Sequence, residues 1–363
     1  MDAKRIVHVI DNLSLGGAEI LLLSTIKKLP GYEHHIITLT PEIHFAEIEK
    51  YGSLHCVHHT GWTNLLRTCR RIKNLVRQLN PAVIHSHLFL SSFLSRLALN
   101  HRYNFVYSIH NLYSATIFKN PRLRLMEKWI YHPSRKLITV SAYVLNDYKN
   151  VVRKCKTGNV LYNFIDDSFL RPLVAKTSKD FPANWVAVGS FKEQKNYEAV
   201  IGCIELLHQT YPERKISLHI YGDGPLRTAL EKRIAGLPYI ALKGRADNVS
   251  EILDEYDAYI SASKYEGYGI APMEALARGL PLFLSDIPVH REIYNDHAFF
   301  FSLRDNTFVK FVNAVEQYMA QGTSGKDKKR TEGYEYATKT AGSENYIAQL
   351  LAIYQINTAN NPV

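Results

Sequence analysis

The sequence predicts an α/β protein built from two doubly wound domains. Short apolar runs alternate with amphipathic stretches in the first half, beginning with a strand at Arg5–Ile10 and a helix predicted from Ala18 to Leu29. A second alternation begins at Trp185, after a linker expected over 167–181 where Pro172 and small polar residues interrupt the pattern. Strands that alternate with helices pair in parallel and are covered on both faces. With 363 residues, the chain can form two separate cores.

The individual elements follow from the period of the apolar residues. Strands are predicted in the first half over 5–10, 35–39, 55–57, 81–87, 105–111 and 136–141, with helices over 18–29, 41–51, 62–79, 88–99 and 142–148. In the second half, buried strands are predicted over 185–188, 216–221, 240–245, 258–261 and 280–286. Ser141 is placed to cap the helix that follows it. The last predicted helix runs from Glu344 to Ile356.

The net charge of +10 is confined to the first half of the chain. Residues 1–170 hold 22 Lys and Arg against 11 Asp and Glu, whereas residues 171–363 hold 22 against 23. Between Tyr51 and Asn146, 13 basic residues accompany only Glu127. Such asymmetry indicates an anionic partner, either a membrane surface or a polyanion.

Two basic amphipathic stretches, 62–79 and 117–130, carry much of this charge. In the first, the apolar residues Leu65, Leu66, Cys69, Ile72, Leu75, Val76 and Leu79 recur at helical spacing. A solvated helix that covers the sheet explains this apolar stripe. The absence of acidic residues from 62–79 favours contact of the basic side of this helix with anionic lipid. Both interpretations remain open from the sequence.

The chain is expected in the cytoplasm, with peripheral association at the inner face of the cell membrane as an extension of that prediction. Its first residues lack the apolar core of a signal peptide, and no run approaches the ~20 apolar residues of a membrane span. The four cysteines, Cys56, Cys69, Cys155 and Cys203, lack disulfide-like or metal-like spacing. Reduced thiols, no metal and no cofactor are therefore expected.

The stretch from Ala262 to Gly279 predicts a ligand site. Gly267 and Gly269 allow a tight turn before a helix, Pro272 suits its first turn and Gly279 ends it. Amides at a helix start bind anions such as phosphate. Glu266 and Glu274 flank this place, and because carboxylates repel phosphate they are expected to bind hydroxyl groups. A ligand with a central diphosphate and hydroxyl groups at both ends, such as a nucleotide sugar, satisfies the pattern. The alternative is two glutamates without a ligand, one solvated and one favouring the helix dipole.

Two glutamates separated by seven residues, in Glu-Gly-Tyr-Gly-Ile-Ala-Pro-Met-Glu from Glu266 to Glu274, resemble the signature of the retaining GT-B glycosyltransferases of family 4. The resemblance implies two Rossmann-like domains facing each other across a cleft. It assigns 1–167 to an acceptor-binding domain, 182–343 to a nucleotide-sugar-binding domain and 344–357 to a helix that crosses back to the first domain.

The same resemblance assigns roles to individual residues. Glu266 would hold hydroxyls of the donor sugar, Glu274 the ribose, and His110 would face the sugar, with His87 at a second, weaker position. Lys195 matches the usual phosphate-binding lysine, but Ser190 stands where the family usually has arginine. Further donor-binding positions are predicted at Gly16, Gly17, Gly189, Gly222, Gly244, Arg245, Tyr268, Gly269 and Ile270.

The sequence therefore predicts retaining, metal-independent transfer of a sugar from a UDP- or GDP-linked donor to a glycan or lipid-linked acceptor in bacterial surface polysaccharide assembly. A GT-B nucleotide-sugar epimerase and a sugar-binding subunit without activity remain alternatives, the second because of Ser190. A non-enzymatic polyanion-binding protein is the alternative from another class. Nucleic acid is not an expected partner, since the aromatic and basic interleaving of RNA-binding motifs is absent.

Overall fold

The computed structural model describes residues 4–14, 16–44, 46–175 and 178–355. These residues divide into two compact units: one runs to Phe164 and resumes at Ser343, and the other spans Ile165–Gly342. None of the described helices has the length and hydropathy that crossing a bilayer requires.

The first unit is built on a parallel sheet of seven strands in the order β3-β2-β1-β4-β5-β6-β7. The strands are β1 Arg5–Ile10, β2 Glu33–Thr38, β3 Ser53–Cys56, β4 Val83–His87, β5 Phe105–Ile109, β6 Lys136–Thr139 and β7 Asn159–Val160. The chain order reverses between β1 and β4, which is where doubly wound sheets bind their ligands, at the carboxyl ends of the strands.

Five α-helices and the C-terminal helix cover this sheet: α1 Gly17–Lys27, α2 Leu65–Leu79, α3 Phe89–Ala98, α4 Pro121–Ile130, α5 Ala142–Val151 and the C-terminal helix Ser343–Tyr354. The predicted cap is confirmed, because Ser141 Oγ accepts a hydrogen bond from the Val144 amide at 3.2 Å. Tyr346, Leu350 and Tyr354 pack against core residues of β1 and β4. Residue 356, the predicted end of the last helix, lies outside the described residues.

The helix predicted over 41–51 is wrong: among the described residues of this range, Ala46–Lys50 form a 3₁₀ helix and 41–44 are not helical. Ile43 forms a parallel bridge with Leu13. The backbone also exchanges hydrogen bonds there, from the Leu13 amide to the Glu42 carbonyl and from the His44 amide to the Leu13 carbonyl, at 3.0 and 2.9 Å. Because these groups pair with the loop after β1, they are not available for helical bonds.

The apolar stripe predicted for α2 is correct for Cys69, Ile72 and Val76, which are buried. It is wrong for Leu66, whose exposed fraction is 78%. The buried positions recur every three to four residues, and Leu66 lies to one side of them. Trp62, just before the helix, is also 55% exposed. This helix therefore presents apolar as well as basic side chains to solvent.

The second unit contains a parallel sheet of six strands in the order β10-β9-β8-β11-β12-β13. Its strands are β8 Asn184–Val188, β9 Ser217–Tyr221, β10 Ile240–Gly244, β11 Ala258–Ser261, β12 Leu282–Ser285 and β13 Ala298–Phe301. The helices are α6 Tyr197–Thr210, α7 Arg227–Arg233, α8 Val249–Ile252, α9 Ile270–Ala277, α10 Pro288–Tyr294, α11 Thr307–Met319 and α12 Gly322–Ala341. Trp185, Phe283 and Phe311 form the aromatic centre of its core. The chain order reverses between β8 and β11.

Candidate active site

The loops that follow β8 and β11 meet at the reversal point of the second sheet. The Lys264 amide donates to the Gln194 carbonyl at 2.8 Å, and Gln194 Nε2 donates to the Tyr265 carbonyl at 3.0 Å. These bonds join a loop that carries Lys195 to one that carries Glu266. Two segments about 70 residues apart in sequence, as the separation of these partners shows, thus form one surface.

The Glu266 carboxylate is held by three donors and is only 7% exposed. Lys195 Nζ lies 2.6 Å from Oε1, Ser263 Oγ lies 2.7 Å from the same oxygen, and Gln194 Nε2 lies 3.1 Å from Oε2. Such contacts fix the orientation of the carboxylate. Its remaining lone pairs can accept hydrogen bonds from a ligand.

The electrostatics favour the ionised form of Glu266. Burial alone would raise the pKa of this carboxyl, but the ammonium group of Lys195 outweighs burial and the pKa is lowered from its usual value. Glu266 is therefore a carboxylate at neutral pH and acts as a hydrogen-bond acceptor.

The helix α9 begins at Ile270, a short turn after Glu266. Gly269 precedes the helix with a φ of +87°, a conformation that glycine adopts without strain. The Tyr294 hydroxyl donates to the Gly269 carbonyl and holds the turn. The predicted bounds are confirmed, since Pro272 lies in the first turn and Gly279, at φ +73°, follows the end. The first amides of the helix lack helical acceptors and are available to bind an anion.

Glu274 lies in the second turn of α9 and differs electrostatically from Glu266. Burial, and after it the charge of Asp166, raises the pKa of Glu274 to about 7. Its side chain makes no hydrogen bond or ion pair with any residue of the described ranges. Its oxygens therefore keep their full capacity for a ligand.

Glycines line the strand ends beside this site because the backbones approach closely there. The Gly189 amide donates to the Tyr221 carbonyl at 2.9 Å, and the Gly222 amide donates to the Gly244 carbonyl at 2.8 Å. A Cβ atom on Gly222 would lie 1.9 Å from the Gly189 carbonyl oxygen, which excludes any larger residue. These three predicted positions lie together at the ends of β8, β9 and β10.

The other predicted residues of this unit have more varied surroundings. Ser190 is partly buried directly after Gly189, Tyr268 is buried, and Ile270 is the first residue of α9. Arg245 is exposed after β10. Ser190 stands where the family usually has arginine. In the hydrogen-bond network described above, Lys195 is the cation that contacts Glu266.

Sequence reasoning gave no role to Gln194, Ser263 or His290. His290 is fully buried, and its Nδ1 donates to the Ser285 carbonyl at 2.9 Å. Burial lowers the pKa of His290 to about 4, which keeps it neutral. The nearness of Ser263 to Glu266 in the chain was a signal, since the two are three residues apart. The contacts of Gln194 and His290 depend on the fold.

In the first unit, the predicted residues lie at the reversal point between β1 and β4. Gly16 is the N-cap of α1 and Gly17 its first residue. His87 ends β4, and His110 directly follows β5. The rings of His87 and His110 stack with their centroids 5.7 Å apart. Burial lowers the pKa of His110 to about 4.

The sequence showed no pattern typical of metal ligands, yet the fold brings three buried histidines together. One ring nitrogen each of His8, His85 and His87 lies within 4.8 Å of the others. His85 is bound by the Tyr354 and Ser108 hydroxyls, each at 2.7 Å. These rings are therefore engaged with polar groups of the unit itself.

Comparison with known proteins supports the fold and the class of the protein. The family described as Glycosyltransferase Family 4 matches residues 15–169, and the family described as Glycosyl transferases group 1 matches residues 182–321. The chain is 21% identical over 294 residues to the N-acetyl-alpha-D-glucosaminyl L-malate synthase of Bacillus anthracis, covering 74% of this chain and 75% of that protein. It is 25% identical over 312 residues to the putative glycosyltransferase EpsF of Bacillus subtilis, covering 78% and 79%.

Among solved structures, Anabaena Alr3699/HepE in complex with UDP and glucose resembles the chain with a TM-score of 0.80 at 13% identity, over 97% of this chain and 99% of that one. The fold and the matched families define a glycosyltransferase with two Rossmann-like domains of the GT-B type. The chain belongs to the group 1 glycosyltransferases of family 4.

Proposed function

We propose that this protein transfers a sugar from a UDP- or GDP-linked donor to a glycan or lipid-linked acceptor, with retention of configuration. The main support for a nucleotide-sugar donor is the contrast between two glutamates in the loop and helix of one segment. Glu266 is ionised and held by three donors, whereas Glu274 is unpartnered among the described residues and has a pKa of about 7. One is pre-oriented for sugar hydroxyls, and the other is available for the ribose.

The diphosphate fits between these carboxylates. The first amides of α9 offer donors for one phosphate group, and Lys195 adds a positive charge beside them. An ammonium group has three donors, so Lys195 can bind a phosphate oxygen while it keeps its bond to Glu266. Preorganised donors of this kind stabilise charge on a leaving group without a metal ion. Metal-independent transfer is therefore part of the proposal.

The proposed chemistry is a front-face substitution, as the family resemblance implies. The acceptor hydroxyl attacks the anomeric carbon on the face from which the diphosphate leaves. The bond from the anomeric carbon to the phosphate oxygen breaks, and that oxygen takes the proton of the hydroxyl. His110 is neutral and is proposed to orient the sugar rather than act as a nucleophile.

A lipid-linked acceptor of bacterial surface polysaccharide assembly is supported by the surface of α2 and α4. Leu125 and Trp129 on α4 are 69% and 74% exposed, among the exposed basic residues Arg122, Arg124 and Lys128. Apolar side chains among basic ones suit an anionic membrane surface. Arg96 does not belong to this basic surface, because it forms a buried pair with Glu127 at 2.7 Å and does not face solvent.

The test is a product assay with UDP-, GDP- and ADP-sugars and with lipid-diphosphate and soluble glycan acceptors, with and without EDTA. The proposal expects acceptor-dependent release of UDP or GDP, a product with the donor's anomeric configuration, and activity that persists in EDTA. Release without an acceptor, together with an altered free sugar nucleotide, would favour an epimerase. No release with any donor, together with salt-sensitive binding to polyanions, would favour a non-enzymatic binding protein.

A further inference from the structure

Three histidines on neighbouring strands form a hydrogen-bonded chain across the first sheet. His34 on β2 lies beside His8 on β1, with His34 Nδ1 and His8 Nε2 3.2 Å apart. His8 in turn lies beside His87 on β4, with His8 Nδ1 and His87 Nε2 3.4 Å apart. The hydrogen-bonded chain of histidines begins at a backbone carbonyl, since His34 Nε2 lies 3.0 Å from the Leu29 carbonyl oxygen.

The contact with the Leu29 carbonyl determines which ring nitrogen carries the proton in each of the three histidines. A carbonyl only accepts, so His34 carries its proton on Nε2 and its Nδ1 is an acceptor. His8 must then donate from Nε2, which leaves its Nδ1 as an acceptor. His87 must donate from Nε2 to that atom, which leaves its own Nδ1 without a proton. One carbonyl thus sets three tautomers.

These tautomers require neutral rings, and the surroundings keep the rings neutral. Burial, and then the nearby histidines, lower the pKa of His8 and His87 well below the usual value. Burial also lowers the pKa of His34. A second proton on His34 or His8 would place two N–H groups against each other.

The hydrogen-bonded chain of histidines ends at an atom that has no described partner. His87 Nδ1 is buried and has no hydrogen-bond partner within the described part of the chain, and the same holds for His110 Nε2. The two rings are stacked where doubly wound sheets bind ligands. A buried acceptor without a partner is costly, and its retention beside the proposed sugar-orienting histidine indicates a ligand that satisfies it.

We propose that His87 accepts, through Nδ1, a hydrogen bond from a carbohydrate hydroxyl beside His110, and that His8 and His34 are positioning residues that fix this acceptor. The inference rests on the proposed glycosyl transfer. It adds a binding residue and the device that sets its tautomer. The hydroxyl belongs either to the donor sugar or to the acceptor, and kinetic measurements distinguish these sources.

The same cluster offers poor conditions for a metal ion. A metal would need the lone pairs of His8 and His87, but His8 Nδ1 already accepts the proton of His87 Nε2. Moving that proton to His87 Nδ1 would create a buried donor without a described partner. The hydrogen-bonded chain is therefore the better account of these rings.

The first test observes the tautomer directly by long-range ¹H–¹⁵N NMR of the full chain labelled with ¹⁵N-histidine. The His87 signals are identified by their loss in His87→Gln. The inference expects an unprotonated Nδ1 in the parent and appearance of the Nδ1-protonated form in His8→Phe. The matched control is His85→Phe, because His85 is equally buried and pairs in register with His8 but is bound to Tyr354 and Ser108 instead. A parent with His87 protonated at Nδ1, or an unchanged tautomer in His8→Phe, would overturn the inference.

The second test measures kcat and KM for each substrate. Loss of one neutral hydrogen bond corresponds to about fivefold in affinity, so His87→Phe and His8→Phe should raise one KM by about that factor while His85→Phe does not. A rise in the donor KM identifies the donor sugar, and a rise in the acceptor KM identifies the acceptor. His87→Asn, whose amide lies near the place of Nδ1, should retain more affinity than His87→Gln.

Equal KM values in all these variants would overturn the binding role. Stoichiometric zinc that survives dialysis and is lost in both His8→Phe and His85→Phe would instead make the cluster a metal site and also overturn the inference. If the parent transfers no sugar, the proposed function fails, whereas the NMR result still decides whether the histidine chain sets the tautomer of His87.

Discussion

Lys195 Nζ and Glu266 Oε1 lie 2.6 Å apart, so the lysine expected to bind phosphate is hydrogen-bonded to the glutamate expected to bind sugar. The pair is largely buried, with the lysine side chain 22% and the glutamate side chain 9% exposed. Each residue therefore affects the other: Lys195 keeps Glu266 ionised, and Glu266 fixes the position of the ammonium group. The phosphate part and the sugar part of the proposed donor site are therefore coupled through this contact.

Replacement of Lys195 by alanine should reduce kcat by about 10²–10³-fold, the effect of removing one preorganised donor from a developing anion. It should also lower stability, because a buried carboxylate is left without its cation. In Glu266→Gln/Lys195→Ala, the stability loss should be smaller than in Lys195→Ala alone. A denaturant series gives the stabilities and a product assay gives kcat. Activity of Lys195→Ala within a few-fold of the parent would assign the phosphate to another cation.

The turn before α9 should require glycine for its conformation rather than for space. A Cβ on Gly269 meets only ordinary contacts at 3.7 Å, but the φ of +87° is strained for other residues. Gly269→Ala should cost about 1–2 kcal/mol in stability and should also reduce donor affinity, since the turn carries the first amides of α9. Gly236 has the same φ with no atom near its Cβ position. Gly236→Ala should lose similar stability and keep full activity; equal loss of activity would contradict a specific role for the Gly269 turn.

Glu274 should make the free energy of unfolding depend on pH between about 4.5 and about 7. Its pKa is raised in the folded protein, so over this window the folded state holds a proton that the unfolded state has released. Stability therefore falls as pH rises from the unfolded to the folded pKa, by as much as about 3 kcal/mol for this group.

Glu274→Gln should remove this contribution. The free energy of unfolding of the variant minus that of the parent should be more positive at pH 8 than at pH 4. Denaturant unfolding at both pH values measures it. A difference between parent and variant that does not change with pH would show that the folded pKa is not raised.

The exposed apolar residues of α4 should mediate binding to anionic vesicles. Burial of such a side chain contributes about 1.5–3 kcal/mol, so Leu125→Ser/Trp129→Ser should weaken co-sedimentation at least about tenfold. Val309→Ser, at a 51% exposed position of the second unit, is the control and should bind as the parent does. High salt should weaken binding of the parent, because exposed charges are screened.

The basic contribution is tested separately with Arg67→Glu/Arg70→Glu, whose side chains are both exposed. Arg71 is unsuitable for this purpose, since its Nη1 donates to the Val57 carbonyl at 2.8 Å. If the parent does not bind anionic vesicles at low salt, a soluble acceptor replaces the lipid-linked one in the proposal.

Local sequence patterns were sufficient for most of the fold. Central parallel strands are continuous apolar runs, and β1 and β11 have the bounds that their runs predict. Local patterns failed over 41–51, where backbone pairing with Leu13 replaced the helix. They also failed at Leu66, because the periodicity does not say how wide a stripe the sheet covers.

The candidate site was predictable where its residues are close in sequence. The segment from Glu266 to Gly279 forms the turn and helix that its glycines and proline indicate. Contacts between distant segments could not be read in the same way: the bond from Lys195 to Glu266 joins residues 71 apart, and the chain from His34 through His8 to His87 depends on strand order and register. The raised pKa of Glu274 likewise depends on burial, which no local pattern reveals.

Calorimetric titration of free UDP and GDP into the parent, Glu266→Gln and Glu274→Gln tests the division of roles between the two glutamates most directly. A ribose belongs to the donor and to the released nucleotide, whereas the sugar belongs to the donor alone. The account predicts that Glu274→Gln binds the nucleotide at least about fivefold more weakly. Glu266→Gln, whose amide oxygen still accepts the hydrogen bond of Lys195, should bind the nucleotide as the parent does and should have lost sugar transfer. Equal nucleotide affinity in parent and Glu274→Gln, or equal loss in both variants, would contradict it.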